Sequence, residues 1–463
     1  MKIKSYFILV LMVNITCICA QTFTPAQPSA EQLTFQEMEL GAFIHYSIDA
    51  YAYDAPGKTP ASAFNPTELD VEQWVRTAKD MGSKFVVLTA RHEQGFCLWP
   101  THTTDYSIKN SPYKDGKGDI VREFVDACRK YGLKPGLYTA PWIDSNWESK
   151  QKGYKGGDTG DIHKFDDEEL FEKVWQKEKA QITELMTNYG PLVFIWDDHF
   201  GRSDALYYKP EGGRLRELYA KFTQCAHTLQ PSCLMLGRDV EHVGTEDGRA
   251  SYPLWNSLNT IDGTLYTISD TYKWEHNNTG NSKGKFYRPQ IACTTVAFTS
   301  GGWMWGGPRR PQPLERIMKT YYETVGRGAN LIVNFAPDKR GLVEESTVQA
   351  AKAFGAEIKR RFSKPIASLY VKDEKQVIKF NSPQTINHVV TKEYLNEGQK
   401  IAGYKIEAEI NGKWETVVEG KTIGHKRIDT FEPIVATALR FRVTDAVAQP
   451  AILRSIEVFN INL

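Results

Sequence analysis

Between residues 30 and 360, short unbroken apolar runs alternate with longer stretches in which apolar side chains recur every third or fourth position. The runs Gly41–His45, Phe85–Thr89, Pro135–Tyr138, Leu192–Trp196, Cys233–Leu236, Leu265–Ile268 and Asn330–Asn334 predict strands buried on both faces. Between them, Val71, Trp74, Val75 and Ala78 fall at i, i+3, i+4 and i+7, with Gly82 placed to close a helix. Val121, Phe124, Val125 and Cys128 repeat the pattern before Gly132, and Ile182, Leu185, Met186 and Tyr189 repeat it before Gly190. Leu215, Leu218, Tyr219 and Phe222 form another face, as do Leu314, Ile317, Met318 and Tyr321. Strand and helix in turn predict an α/β fold, a (β/α)8-like TIM barrel over residues 21–362. An open doubly wound sheet is the alternative, but GAFIHYS leads into no G-x-G-x-x-G turn.

After about Ser363 the period changes from three or four to two. Tyr404, Ile406, Ala408 and Ile410 alternate, Asn411–Gly412 supplies a hairpin turn, and Leu439, Phe441 and Val443 alternate again. Residues 363–463 are therefore expected to form an antiparallel β-sandwich, which would support the barrel or bind sugar.

Composition narrows the partners. A formal net charge of +1 favours neither nucleic acid nor an anionic membrane. Aromatic residues make up 12% of the chain, which suits stacking on sugar faces as well as core building. Met1–Ala20 carries lysines at positions 2 and 4, an apolar stretch and small residues before Gln21, so it reads as a secretory signal. Export to the periplasm or beyond is expected, with a lipid anchor the second reading. No other run is long enough to span a bilayer. Cys97, Cys128, Cys225, Cys233 and Cys293 remain, with neither a disulfide framework nor zinc-finger spacing.

Polar groups gather at the ends of the predicted strands: His45, Arg91–His92–Glu93, Tyr138, Asp197–Asp198–His199 and Arg238–Asp239. The C-terminal ends of barrel strands are where such folds place their chemistry. PLVFIWDDHFGR, Pro191–Arg202, is the central stretch. Alternation allows only one of Asp197 and Asp198 to face inward, and the pattern leaves open which. Two carboxyl groups across a pocket fit glycoside hydrolysis. Glu246, Glu93, Glu148 and Glu275 compete for the second place. A divalent metal held by His45, His92, Glu93, Asp198 and His199 is the rival reading, but His45 stands alone on its strand and no H-E-x-x-H occurs. Neither metal nor cofactor is expected, and no G-x-S-x-G marks a serine nucleophile.

Five stretches together resemble glycoside hydrolase family 29, the retaining α-L-fucosidases. GAFIHYS resembles the family's G-x-F-I-H-W-G, RHEQGFCLWP its K-H-H-D-G-F-C-L-W, GLYTAPW its G-L-Y-Y-S strand, FIWDDH its W-F-D-G strand, and GRGANLIVNFAPDKRGLV its late V-G-x-N-x-x-L-L-N-x-x-P-D-x-x-G. The resemblance implies Asp198 as nucleophile and, from the G-N-E-x-G-like Gly244–Gly248, Glu246 as acid/base. It also implies that His45, His92, Glu93, Trp99, Tyr138, Trp303 and Trp305 line the sugar site, and that the substrate is a fucosylated oligosaccharide or glycoconjugate glycan. The chain departs from the family where Glu93 replaces a histidine, Gln94 an aspartate and His199 a glycine. An α-L-galactosidase, whose sugar has an added C6 hydroxyl, and an inactive glycan-binding protein are therefore the alternatives. For Glu93 the options are an ion pair with Arg91 or contact with that hydroxyl. Oligomeric state is not legible.

Overall fold

The computed structural model describes residues 23–51, 57–148, 150, 168–198, 213–261, 263–265, 269–271, 278–295, 302–308, 310–370 and 376–462. The expected signal Met1–Ala20, His199, Glu275, the Glu148 side chain and most of Leu265–Ile268 lie outside them.

The strands are β1 (Leu40–Ile44), β2 (Phe85–Arg91), β3 (Lys134–Thr139), β4 (Phe194–Asp197), β5 (Leu234–Met235), β6 (Glu241–His242), β7 (Ser257–Leu258), β8 (Phe286–Tyr287), β9 (Gln290–Thr294) and β10 (Asn330–Phe335). Eight of them form one parallel sheet in the order β5-β4-β3-β2-β1-β10-β9-β6. A parallel bridge between Leu236 and Val240 joins the two end strands, so the order runs round a TIM-like barrel. Two of these eight strands escaped the sequence pattern. The β6 pair is only two residues long, and β9 begins with polar Gln290 and has too short an apolar core to stand out. No helix separates β5 from β6; the chain turns back within Gly237–Asp239.

The helices are α1 (Ala30–Met38), α2 (Val71–Met81), α3 (Ile120–Tyr131), α4 (Ser145–Glu148), α5 (Glu168–Asn188), α6 (Gly213–Leu229), α7 (Leu314–Thr324) and α8 (Glu345–Phe362). Asp70 and Asp119 cap α2 and α3 through their carboxylates, and Gly82 and Gly132 end them with φ of 94° and 74°. Two apolar layers result from strand alternation. Phe43, Phe85, Val87, Tyr138, Phe194, Trp196, Ile291 and Ile332 fill the barrel. Ala42, Ile44, Val86, Leu88, Leu137, Ile195, Leu331 and Val333 face the helices.

Helix α1 plugs the barrel's N-terminal mouth. Ser29 and Gln32 form a reciprocal capping box. Phe35 then meets Phe85 and Phe194, the first residues of β2 and β4, at 5.2 and 5.3 Å between ring centroids, and its carbonyl accepts from Asn330 at the start of β10.

Beyond α8 the strands β11 (Ala367–Tyr370), β12 (Val377–Glu393), β13 (Ile401–Ile410), β14 (Lys413–Gly420), β15 (Arg427–Ala446) and β16 (Leu453–Phe459) form an antiparallel sheet in the order β11-β16-β12-β15-β13-β14. The β12–β15 ladder slips register between Lys379 and Gln384 and between Ile386 and His388, where long strands bend. Ile386, Val389, Tyr404, Ile406, Leu439, Phe441 and Ile456 pack into one core. Asn411 and Gly412 both have positive φ, as a tight hairpin turn of this hand requires. Glu39, between α1 and β1, receives Lys426 at 2.5 Å, Lys392 at 3.2 Å and His425 at 3.2 Å from this second unit. Burial opposes its charge, but the Lys426 and Lys392 cations and the hydrogen bond from His425 hold its carboxyl well below the usual range.

Replacing the plug residue, Phe35→Ala, should destabilise the protein by about 3–5 kcal/mol. The check is a lower urea midpoint with an unchanged m-value.

Candidate active site

Strand β4 settles which aspartate faces the pocket. Phe194 and Trp196 belong to the barrel interior and Ile195 to the helix layer. Asp198 follows Trp196 by two residues and shares its face. Tyr138 Oη donates to Asp198 Oδ2 at 2.7 Å, Trp196 Nε1 to Oδ1 at 3.4 Å, and the Asp198 backbone N–H to Thr139 O at 2.9 Å. Asp197 points the other way. It is fully buried, and neither carboxyl oxygen has a hydrogen-bond partner among the described residues. Burial pushes it well above the usual carboxylate range, with the charges of Asp198 and Asp239 adding to the effect.

Glu246 sits on the loop after β6, between two glycines in the left-handed region, Gly244 with φ 92° and Gly248 with φ 75°. A Cβ at Gly248 would lie 2.7 Å from Thr320 Cγ2. Asp247 anchors the loop by bridging to Thr294 on β9 and accepting from Thr245 Oγ1 and the Arg249 N–H. Glu246 remains exposed, with Trp303 Nε1 donating to its Oε2 at 2.9 Å. Burial, with the charges of Glu246 and Asp198 adding to it, holds the Cys293 thiol well above its ordinary range. Both carboxylates thus lie within electrostatic reach of one sulfur in the barrel wall.

Aromatic and imidazole rings complete that wall. His45 lies 4.8 Å from Trp303, 5.7 Å from Tyr138 and 5.9 Å from His92, and His92 stacks on Tyr138 at 5.4 Å. His45 Nδ1 pairs with Asn334 Oδ1 at 2.7 Å, and Asn334 Nδ2 donates to Trp303 O at 2.7 Å. Burial and the neighbouring His92 push His45 down to about 3, against the pull of Asn334, Asp198 and Glu93. It is therefore neutral and able both to donate and to accept. Half-buried Glu93 is close enough for His45 to feel its charge.

Several expected site residues lie elsewhere. Trp99 is 1% exposed in the outer layer and donates to Glu184 Oε2 at 2.7 Å, so it cannot touch a ligand in the pocket. The cause is an antiparallel bridge between Cys97 and Arg91, which folds this segment back along β2. Arg91 does not pair with Glu93; it forms a buried two-pronged ion pair with Glu178 on α5, both contacts at 3.0 Å. Arg238 and Asp239 turn toward the plugged end: Asp239 O accepts from Gln32 on α1, and its carboxylate accepts the Met235 N–H. Trp305, by contrast, is half-buried two residues beyond Trp303 and donates to Glu344, just before α8, at 3.2 Å.

Three contributors escaped the sequence reading. Asn334 closes a predicted strand, and its inward parity with Ile332 was the available signal. Asp49 lies 3.8 Å from His92, in a short 3-10 turn without periodicity. His242 ends the two-residue strand β6, with its ring 5.8 Å from Trp196. Among the described residues, no three His, Cys, Asp or Glu side chains gather as a metal site would require.

A parallel barrel with two carboxyl groups and an aromatic wall at the C-terminal ends of its strands defines a TIM-barrel glycoside hydrolase. Residues 49–361 match the family model described as alpha-L-fucosidase, and residues 349–458 match the F5/8 type C domain. The chain belongs to the alpha-L-fucosidase family. It is 28% identical to Alpha-L-fucosidase 1 of Arabidopsis thaliana, covering 92% of this chain and 86% of that one. A solved glycoside hydrolase 29 family member from an unknown rumen bacterium is 30% identical, with a TM-score of 0.78 over 94% of this chain and 78% of its own. A candidate alpha-L-fucosidase structure from Bacteroides thetaiotaomicron is 32% identical, with a TM-score of 0.79 over 95% and 100%.

The neutral state of His45 carries a pH signature. The unfolded chain takes up this proton as pH falls through 6.5, whereas the folded protein does so only near 3. Stability from this group is complete above the unfolded value and declines as pH drops toward the folded one. At pH 5 the loss is on the order of 2 kcal/mol. Urea unfolding at pH 7 and pH 5 should show a correspondingly smaller decline in His45→Asn than in wild type.

Proposed function

We propose that the protein is a retaining exo-α-L-fucosidase, releasing terminal fucose from oligosaccharides or glycoconjugate glycans. The observation carrying this reading is the setting of Asp198, an inward carboxylate whose two oxygens each receive a donor, Tyr138 and Trp196. Those bonds orient the carboxylate toward an anomeric carbon in the pocket. Asp198 attacks C1 as Glu246 protonates the departing glycosidic oxygen; Glu246 then takes a proton from a water whose oxygen attacks C1 and displaces the Asp198 carboxylate, releasing the sugar with its configuration retained. Trp303 reaches Glu246 from the sugar wall, so the acid/base is held by the same ring that packs on His45. Neutral His45, with His92 beside it, supplies hydrogen bonds to ring hydroxyls.

Glu93 favours a second sugar. A carboxylate within electrostatic reach of His45 is suited to accept from a hydroxyl that fucose lacks, such as the C6 hydroxyl of L-galactose. The signal-like Met1–Ala20 supports export, and N-terminal sequencing of the mature protein from its host tests it.

Proton NMR of aryl α-L-fucoside hydrolysis should show α-L-fucose as the first-formed anomer, and β-L-fucose would sink the retaining assignment. Asp198→Asn should lose roughly 10³-fold or more in kcat while keeping its fold. Glycan binding without turnover in wild type would instead identify a lectin-like protein. Tyr138→Phe removes one charge-assisted bond and should lower kcat/KM about 10- to 100-fold. Rates on α-L-galactosides against α-L-fucosides, in wild type and Glu93→Gln, read the sugar preference.

A further inference from the structure

We propose that His242 is a positioning residue that holds the Glu246 loop in register with Asp198, by accepting the Gly244 N–H and packing against Trp196. This rests on the reading of Asp198 as nucleophile and Glu246 as acid/base. Among the described residues, three groups meet the imidazole. Nδ1 lies 3.1 Å from the Gly244 nitrogen, Nε2 lies 3.2 Å from Cys293 Sγ on β9, and the ring meets Trp196 edge-on at 5.8 Å. Trp196 in turn donates to Asp198.

The tautomer follows from these contacts. A backbone N–H can only donate, so Nδ1 must carry a lone pair and the neutral ring must hold its proton on Nε2, directed at the sulfur. Burial pushes His242 down to about 4 against the attraction of Asp198, so the neutral form persists at ordinary pH. The buried Cys293 thiol keeps its own proton and leaves a sulfur lone pair to accept. One small ring therefore touches the support of the nucleophile on one side and the root of the acid/base loop on the other. Gly244 stands two residues before Glu246, and the far end of the loop is anchored through Asp247 and Thr294. The Gly244 contact sets where the near end begins.

The test compares leaving groups, because protonation by Glu246 matters for a sugar leaving group and little for a good phenolate. His242→Phe keeps a ring but removes the acceptor. It should lose about 10- to 100-fold on a fucosylated oligosaccharide, with a loss at least about ten-fold smaller on 4-nitrophenyl α-L-fucoside. His242→Asn restores an acceptor near the Nδ1 position and should recover the oligosaccharide rate. Equal losses on both substrates for the phenylalanine variant, or a selective loss in the asparagine variant, would overturn the proposal. Glu246→Gln is measured alongside. If it shows no leaving-group dependence, the acid/base reading fails and takes this proposal with it; if it does while His242→Phe is indifferent, this proposal alone fails. Nitrogen-15 NMR of wild-type protein needs no substitution: a pyridine-type Nδ1 and a pyrrole-type Nε2 are expected for His242, and the reverse assignment overturns the proposal.

Discussion

The structure depends on the two-residue alternation of strands buried on both faces. In β4 that constraint gives adjacent carboxyl groups opposite fates. Asp198 shares the interior face of Phe194 and Trp196 and receives donors from Tyr138 and Trp196. Asp197 shares the outer face of Ile195, finds no hydrogen-bond partner among the described residues and has its carboxyl pushed well above the usual range by burial. Parity sets Asn334 on the pocket side with Ile332, whereas the register shift between Thr89 and Arg91 breaks the alternation of β2 and lets Arg91, which parity with Phe85 and Val87 would turn inward, reach Glu178.

Electrostatics are divided along the same line. Full charges in the barrel wall are paired outside the pocket, as in Arg91–Glu178 and Arg288–Glu241, whose side chains are at most 1% exposed. Removing one member would leave an uncompensated buried charge. Within the pocket, neutral imidazoles surround the carboxylates, since burial pushes both His45 and His242 well below ordinary histidine values. Neutral rings can offer directed hydrogen bonds to hydroxyl groups without placing a full positive charge beside Asp198.

The C-terminal sheet belongs to this arrangement through the opposite end of the barrel. Glu39, with φ 53°, joins the plug helix to the first strand and collects Lys392, His425 and Lys426 from the second unit. Ile428, Val390 and Phe459 continue the contact as part of the barrel's outer core. A helix that plugs the barrel is thereby tied to the sheet packed beside it.

Amphipathic periodicity made α2, α3 and α5 legible, because one face of each packs on the barrel and its glycine or aspartate caps are local. The long apolar strands and the Asn411–Gly412 hairpin were legible for the same reason. Local pattern failed at β6 and β9, which are too short or too polar to carry a period, and with them went His242. It also failed for Trp99 and Arg238–Asp239, whose positions depend on how a loop folds back after its strand. The amino-acid sequence determined the alternating barrel, the second sheet and the family, since these follow from periodicity and local motifs. Only the tertiary structure decided which strand-end groups share the pocket, because Glu246, Trp303 and Asp198 meet through ring closure of distant strands, and no spacing along the chain encodes that distance.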